Sequence, residues 1–293
     1  MIYTIQNSEL TVTAASKGAE LQSIRSRDGT EYLWQGDPAF WSDRALTIFP
    51  YVGRLTDGRY CLDGQEYRMR IHGLAMYSEF SLCEHADDRL TLELCDSKET
   101  YAQYPRRFRF LVTFQLQGNI LLTTYTVENR DTRTMYFGLG GHPGFRVPLV
   151  EGHSFEDYRL TFSAPGVPKR LGFSPVCFPD GSEEPFGLLN GTDLPLRHEL
   201  FDQDAIVLKD MPSSVTLHCP GDRHFVTVSF PQMPYLGIWH WPGKPAPYVC
   251  IEPWCSLPSP KGTVAALETQ PDLLALEPGQ SCVRSWEMEI GMA

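Results

Sequence analysis

The chain has 293 residues, 42% hydrophobic and 21% charged, the balance of a globular protein that can bury a sizeable core. Its formal net charge of -11 disfavours a nucleic-acid binder, which needs a basic face, and also an anionic membrane surface, so neither is expected as a partner. No apolar run approaches the ~18 residues of a membrane span. The opening Met1-Ile2-Tyr3-Thr4-Ile5 lacks a secretory pattern, so the cytoplasm is the expected compartment.

Taken in order, the pattern is β almost throughout. Residues 2–13 predict two short strands around Asn7-Ser8, and 20–34 two more around the Asp28-Gly29 turn signal. Leu90, Leu92 and Leu94 alternate with Arg89, Thr91 and Glu93, the period of a half-buried strand. Lys98 to Tyr104 predicts one or two helical turns before Pro105 stops them. The clearest hairpin runs over 108–129, with Phe110, Val112, Phe114 and Leu116 on one face and Gly118-Asn119 as its turn.

The stretch Gly138-Leu139-Gly140-Gly141-His142-Pro143-Gly144-Phe145 follows a β-like run. Its four glycines and proline predict a tight loop around His142 rather than a central strand. Further strands are expected at about 155–163, 205–209, 215–219, 224–230, 235–241, 247–252 and 281–290. Segments 165–200 and 253–279, rich in Pro and Gly, predict long ordered loops of the kind that cover a site. No repeat or linker breaks the chain. The fold class is therefore all-β, a large antiparallel β-sandwich with few short helices, as a single domain over 1–293.

Polar residues with chemical potential stand where strands break. Arg54 follows the Pro/Gly turn Phe49-Pro50-Tyr51-Val52-Gly53. His72 lies in Ile71-His72-Gly73. Asp202 and Asp204 precede the apolar Ala205-Ile206-Val207-Leu208, and Glu252 ends the run Tyr248-Val249-Cys250-Ile251 before Pro253-Trp254. Each also has a plain structural reading: a surface ion pair for Arg54, turn formers for His72, His142 and Asp204, a strand end in solvent for Glu252. His85, His153, His198, His218 and His224 read as surface or core residues. There is no H-x-H, H-E-x-x-H or C-x-x-C, so no metal site is expected. The eight cysteines read as free thiols. Neither a G-x-S-x-G nor a nucleotide-binding glycine motif occurs. What remains is a carboxylate with imidazoles, an acid/base combination, beside Trp239, Trp241 and Trp254, whose indole faces suit a sugar ring.

In order along the chain, Phe49-Pro50…Gly53-Arg54, His72-Gly73, Gly141-His142-Pro143…Phe145 and Ile251-Glu252-Pro253-Trp254 resemble the set found in aldose 1-epimerases, also called galactose mutarotases, in their compact bacterial branch. The resemblance covers about residues 3 to 290. It implies a galactose mutarotase-like supersandwich and interconversion of the α and β anomers of an aldohexose without a cofactor. By position it implies Glu252 as general base, His142 as general acid and His72 as the second active-site histidine. It also implies Arg54 as the sugar-binding arginine and Asp204, with Asp202 as competitor, as the aspartate that holds sugar hydroxyls. Gly53 stands where many relatives have Asn, and Leu74-Ala75-Met76 where many have a basic residue, departures that bear on the sugar preferred. Two alternatives stay open: a mutarotase of a phosphorylated or sulfonated sugar, with Arg44, Arg59 and Arg70 as added cations, and a non-catalytic carbohydrate-binding protein on the same fold.

On this reading Glu252 should be ionised near neutral pH, as a carboxylate of pKa about 4.3 is. His142 should be protonated, each group favouring the charged form of the other.

Overall fold

The computed structural model describes residues 1–174 and 176–291. Two large antiparallel sheets dominate it. The nine-stranded sheet is built outward from the hairpin Phe108–Gln117 and Ile120–Asn129, whose residues alternate between buried and half-buried along both strands. That alternation is the period-two pattern of the sequence turned into a core face and an outer face. The long strand Ser281–Gly291 pairs with Ile120–Asn129 on one side and with Phe225–Ser229 on the other.

The seven-stranded sheet carries the chemistry. Its order is Pro179–Pro185, Lys169–Phe173, Ile206–Lys209, Tyr235–Trp239, Tyr248–Trp254, Gly140–Arg146, Ala45–Ile48. It is apolar on both sides for different reasons. Ile206, Leu208, Leu236, Ile238, Val249 and Ile251 join the main core shared with the nine-stranded sheet. The alternate positions Leu46, Tyr248 and Cys250 pack with Trp34 and Trp41 on the other face. A strand apolar on both faces reads as a continuous hydrophobic run, which is why Tyr248 to Trp254 is buried at every position. Smaller sheets over Ile2–Gln6, Leu10–Ala15, Glu20–Ser26, over Ala265–Ala266, Arg59–Leu62, Gln65–Arg68 and over Met135–Phe137, Leu274–Leu276 complete the sheets of the described residues. The helix Lys98–Gln103 is fixed by a reciprocal capping box between Ser97 and Thr100.

Three expectations are corrected. Gly140–Arg146 is an interior strand, lying between Tyr248–Trp254 and Ala45–Ile48, not a loop. Its glycines serve close packing. A Cβ on Gly140 would come within 2.8 Å of Trp254, one on Gly141 within 2.5 Å of Trp286, and one on Gly144 within 3.0 Å of Trp41. Three indoles thus press directly on the backbone, and the interior-strand rule against glycine yields to that packing. Segment 165–200 is not a loop throughout: Lys169–Phe173 and Pro179–Pro185 pair as a hairpin that extends the seven-stranded sheet, and Asp193–Pro195 edges the other. The strand expected at 155–163 is shortened to Arg159–Phe162 by a 3-10 turn over Phe155–Asp157. Segment 253–279 is mostly loop, as expected, interrupted by Ala265–Ala266, Leu267–Thr269 and Leu274–Leu276.

The eight cysteines are unpaired. Among the described residues no helix is long and apolar enough to cross a membrane.

Candidate active site

His142 and Glu252 come together because of strand register. Gly140 pairs with Trp254 and Gly144 with Cys250, so the register running through both pairs sets His142 opposite Glu252. Residues facing one another on one side of an antiparallel pair have Cβ atoms about 4.5–5.5 Å apart. Residues 142 and 252, remote in the chain, are thereby cross-strand neighbours. The imidazole Nε2 lies 3.2 Å from the carboxyl Oε2, and both side chains are buried, Glu252 to 2% exposure. On the opposite side of Glu252 the paired residue is Gly237, which leaves room above the sheet for Trp254 and for the carboxyl itself.

His72 and Arg54 arrive on a second unit. His72 donates its backbone N–H to Gly53 O at 2.9 Å, and Gly53 N–H donates to His72 Nδ1 at 3.2 Å. Gly73, at φ 82°, lies so close to the Phe49 carbonyl that a Cβ would fall 2.4 Å from the oxygen. Only glycine fits that crossing. The sequence motifs Phe49-Pro50…Gly53-Arg54 and His72-Gly73 are therefore one clasp, with reciprocal hydrogen bonds. Because Nδ1 accepts, the neutral ring carries its proton on Nε2. Burial, then the Arg54 guanidinium, lower the His72 pKa to about 4, so this ring is a neutral N–H donor at neutral pH.

These residues line one cavity of about 580 Å³, together with Asp204, Trp239, Trp241 and Trp254. Its volume falls in the range of small-molecule sites. Asp202 is exposed and is not among the lining residues, whereas Asp204 is. Arg54 makes no ion pair or hydrogen bond through its side chain among the described residues, so its donors are free to meet a ligand. Trp41 and Trp239 frame the His142 ring, at 4.9 Å and 32° and at 5.6 Å and 81°. Sequence reading misses Trp41, because Phe40-Trp41-Ser42 has no strand pattern or motif around it. It also misses His240, which is fully buried, donates Nδ1–H to the Trp241 carbonyl at 2.9 Å and meets His198 Nδ1 at 3.1 Å. That contact ties the 3-10 turn His198–Phe201, just before Asp204, to the tryptophan strand.

The electrostatics correct one expectation. Burial pushes the Glu252 carboxyl well above its ordinary value, and the nearby Asp204 pushes the same way. Burial, then His72, push His142 well below 6.5. Desolvation thus outweighs mutual attraction, and the ion pair is disfavoured in both partners. His142 Nδ1 has no hydrogen-bond partner among the described residues, so an imidazolium there would leave one N–H unsatisfied.

The sequence contains no metal motif, yet the fold brings three donor side chains together. Donor atoms of His142, Cys250 and Glu252 all lie within 4.8 Å of one another. The set is split between two strands and so has no spacing signature. It is where a cation would be held if one bound. The cations named for a charged sugar are otherwise engaged: Arg44 bonds Gln22 and the Gln35 carbonyl, and Arg59 pairs with Asp57 and Glu66. Arg70 stacks over the Tyr77 ring at 4.1 Å, outside this cavity.

A family model described as aldose 1-epimerase matches residues 1–288. Protein LacX of Lactococcus lactis subsp. lactis is 32% identical over 300 residues, covering 99% of each chain. Among solved structures, a galactose mutarotase related enzyme from Lactobacillus acidophilus superposes with a TM-score of 0.94 at 30% identity, covering 100% of this chain and 98% of that one. A galactose mutarotase-like protein from Lactobacillus casei gives a TM-score of 0.93 at 33% identity, covering 99% and 100%.

Proposed function

The chain belongs to the aldose 1-epimerase family, and from that premise we propose that it interconverts the α and β anomers of an aldohexose by opening and reclosing the ring. The observation that carries the reading is the contact of 3.2 Å between His142 Nε2 and Glu252 Oε2 on the wall of the cavity. Mutarotation needs one base at the anomeric hydroxyl and one acid at the ring oxygen, both beside the same carbon. A hemiacetal entering the cavity replaces the direct contact: its O1–H meets the carboxylate and its ring oxygen meets the imidazole N–H. Glu252 takes the proton, His142 gives one, and the C–O bond breaks to leave the aldehyde. After rotation about C1–C2 the two groups exchange roles and the ring closes on the other face.

The pair begins from a state that burial keeps near neutrality. The proton passes from Glu252 to His142 along the short contact as the hemiacetal enters, and the substrate then separates the two groups and hydrogen-bonds the carboxylate and the imidazolium so formed. A weak acid and weak base of matched strength are what a reversible two-way reaction needs. Each positioned group is worth about 10²–10⁴-fold, or roughly 3–5 kcal/mol of barrier. His72, as a neutral donor, and Arg54 and Asp204 hold the hydroxyls, and no cofactor enters any step. The cavity sets Lys17 and Arg54 against Glu20, Asp43 and Asp204, a balance that favours a neutral sugar over a phosphorylated one.

Anomer-exchange NMR on glucose, galactose and glucose 6-phosphate tests the reading. The wild-type chain should accelerate exchange of a neutral hexose. Glu252→Gln and His142→Asn should each lose about 100-fold or more in kcat, while calorimetry still detects sugar binding. Undiminished exchange in the Glu252→Gln variant removes the base assignment. Binding without exchange in the wild type moves the protein to the carbohydrate-binding class, and a preference for the phosphate ester moves it to the charged-sugar class.

A further inference from the structure

Asp204 and Cys177 face each other across the rim of the cavity, and both have backbones in the left-handed region, φ 75° and φ 58°. Such conformations persist in non-glycine residues where the surroundings hold them, and they gather at binding sites. Asp204 sits at the entry to the strand Ile206–Lys209. One carboxyl oxygen, Oδ1, accepts the N–H of Ala205 at 2.9 Å. The other, Oδ2, accepts the thiol of Cys177 at 2.7 Å. Among the described residues that thiol is its one side-chain partner, and no cation pairs with it.

Cys177 is brought there by the turn between Lys169–Phe173 and Pro179–Pro185. Ser174 N–H donates to the Phe178 carbonyl at 2.8 Å, Cys177 N–H to the Ser174 carbonyl at 2.9 Å, and Phe178 N–H to Ser174 Oγ at 3.3 Å. Ser174, Cys177 and Phe178 are tied to one another by these hydrogen bonds, and the thiol is presented from them. Burial and the facing carboxylate push the Cys177 pKa up to about 12, which keeps the sulfur protonated and therefore a donor.

We propose that Cys177 is a positioning residue for Asp204: its S–H fixes the carboxylate in the rotamer that receives the sugar hydroxyls, and so sets sugar affinity. The inference rests on the sugar-site reading above. The physical reason is one of valence. A carboxylate has about four lone-pair directions. Ala205 and Cys177 each occupy one on a different oxygen, which stops rotation of the group and leaves one direction on each oxygen for the ligand. Without the thiol, only the Ala205 bond remains, and Oδ2 turns freely at the rim.

The test uses the full chain and anomer-exchange kinetics with the best neutral hexose, alongside calorimetric sugar binding. Cys177→Ala should raise KM about three- to tenfold, the worth of one modest hydrogen bond, with kcat held within about twofold, as expected when only ground-state positioning is lost. Cys177→Ser, which keeps a donor, should restore KM. In the Asp204→Asn background, Cys177→Ala should add nothing, since the two act as one unit. A Cys177→Ala enzyme with wild-type KM, a Ser variant as weak as the Ala variant, or fully additive losses in the double variant would each overturn the proposal. If the wild type exchanges no anomers but binds sugar, the same comparison is read in Kd, and catalysis alone fails. If it neither exchanges nor binds any hexose, the site reading and this inference fall together.

Discussion

A carboxyl group at 2% exposure, with an imidazole beside it and a second carboxylate nearby, is costly to ionise. That cost should appear in the pH dependence. The pair works with one proton shared between its two groups, so the alkaline limb of kcat/KM reports loss of that proton, and burial raises Glu252, which holds it in the free enzyme, well above 4.5. That alkaline limb is therefore expected to lie clearly above the ordinary carboxylate range. His72, lowered to about 4, stays neutral above pH 5, so KM for a neutral sugar should be flat between about pH 5.5 and 8. A pH series of initial exchange rates checks both; an alkaline limb near 4.5 would place Glu252 in a wetter setting than the fold provides. At this scale the sequence is partly readable. Glu252, His142, His72 and Arg54 stand in short motifs whose order carries the resemblance, and the fold lines one cavity with all of them. Trp41 and Cys177 have no such markers, because what matters in them is where another element puts their neighbours. The protonation states escape the sequence for a related reason: pairing is visible there, whereas desolvation depends on how deep the pair lies.

At the scale of elements, the strand Gly140–Arg146 shows how composition misleads when packing decides. Four glycines and a proline within eight residues read as a loop. In the folded chain they let Trp254, Trp286 and Trp41 lie against an interior strand, and that close approach sets the depth at which His142 meets Glu252. Gly141→Ala is therefore expected to destabilise the protein by about 1–3 kcal/mol, since a methyl group 2.5 Å from the Trp286 ring forces strand or ring to move. It should also lower kcat at least tenfold, because displacements of about 1 Å in a catalytic group are that costly. Urea unfolding and exchange kinetics measure the two effects. Gly187→Ala, where a Cβ meets nothing within 4 Å, is the control and should change stability by less than about 0.5 kcal/mol. The alternating strands, by contrast, are readable to within a residue or two. At Phe108–Gln117 and Ile120–Asn129 one face is core and the other is not, and that asymmetry is written in the side chains. The hairpin from Lys169 to Pro185 is hidden, because six of the seven residues in Pro179–Pro185 are exposed and no buried face imposes a pattern on it.

For the molecule as a whole, the buried pair ties stability to activity. A carboxyl whose folded pKa is raised binds its proton more tightly in the native state than in the unfolded chain. Stability then falls as pH rises from the unfolded value, about 4.3, through the folded one, and stays lower above it. The neutral amide introduced by Glu252→Gln carries no such charge at any pH. The substitution should accordingly stabilise the protein in alkaline solution, by about 2–5 °C in Tm at pH 8, while it abolishes most activity. The gain should shrink toward zero near pH 4.5, where the folded chain holds Glu252 protonated and the unfolded chain is close to half-protonated. Buried His72 and His240, each lowered to about 4, act in the opposite sense: their contribution is complete above the unfolded value near 6.5 and is lost as pH falls toward 4. Both are present in wild type and variant, so their loss cancels in the difference between the two melting curves. Calorimetric scans of the pair at pH 4.5, 6 and 8 isolate the carboxyl. A difference in Tm that does not grow with pH would mean that position 252 carries no buried charge, and the site would then lack the desolvated base on which the proposed ring opening depends.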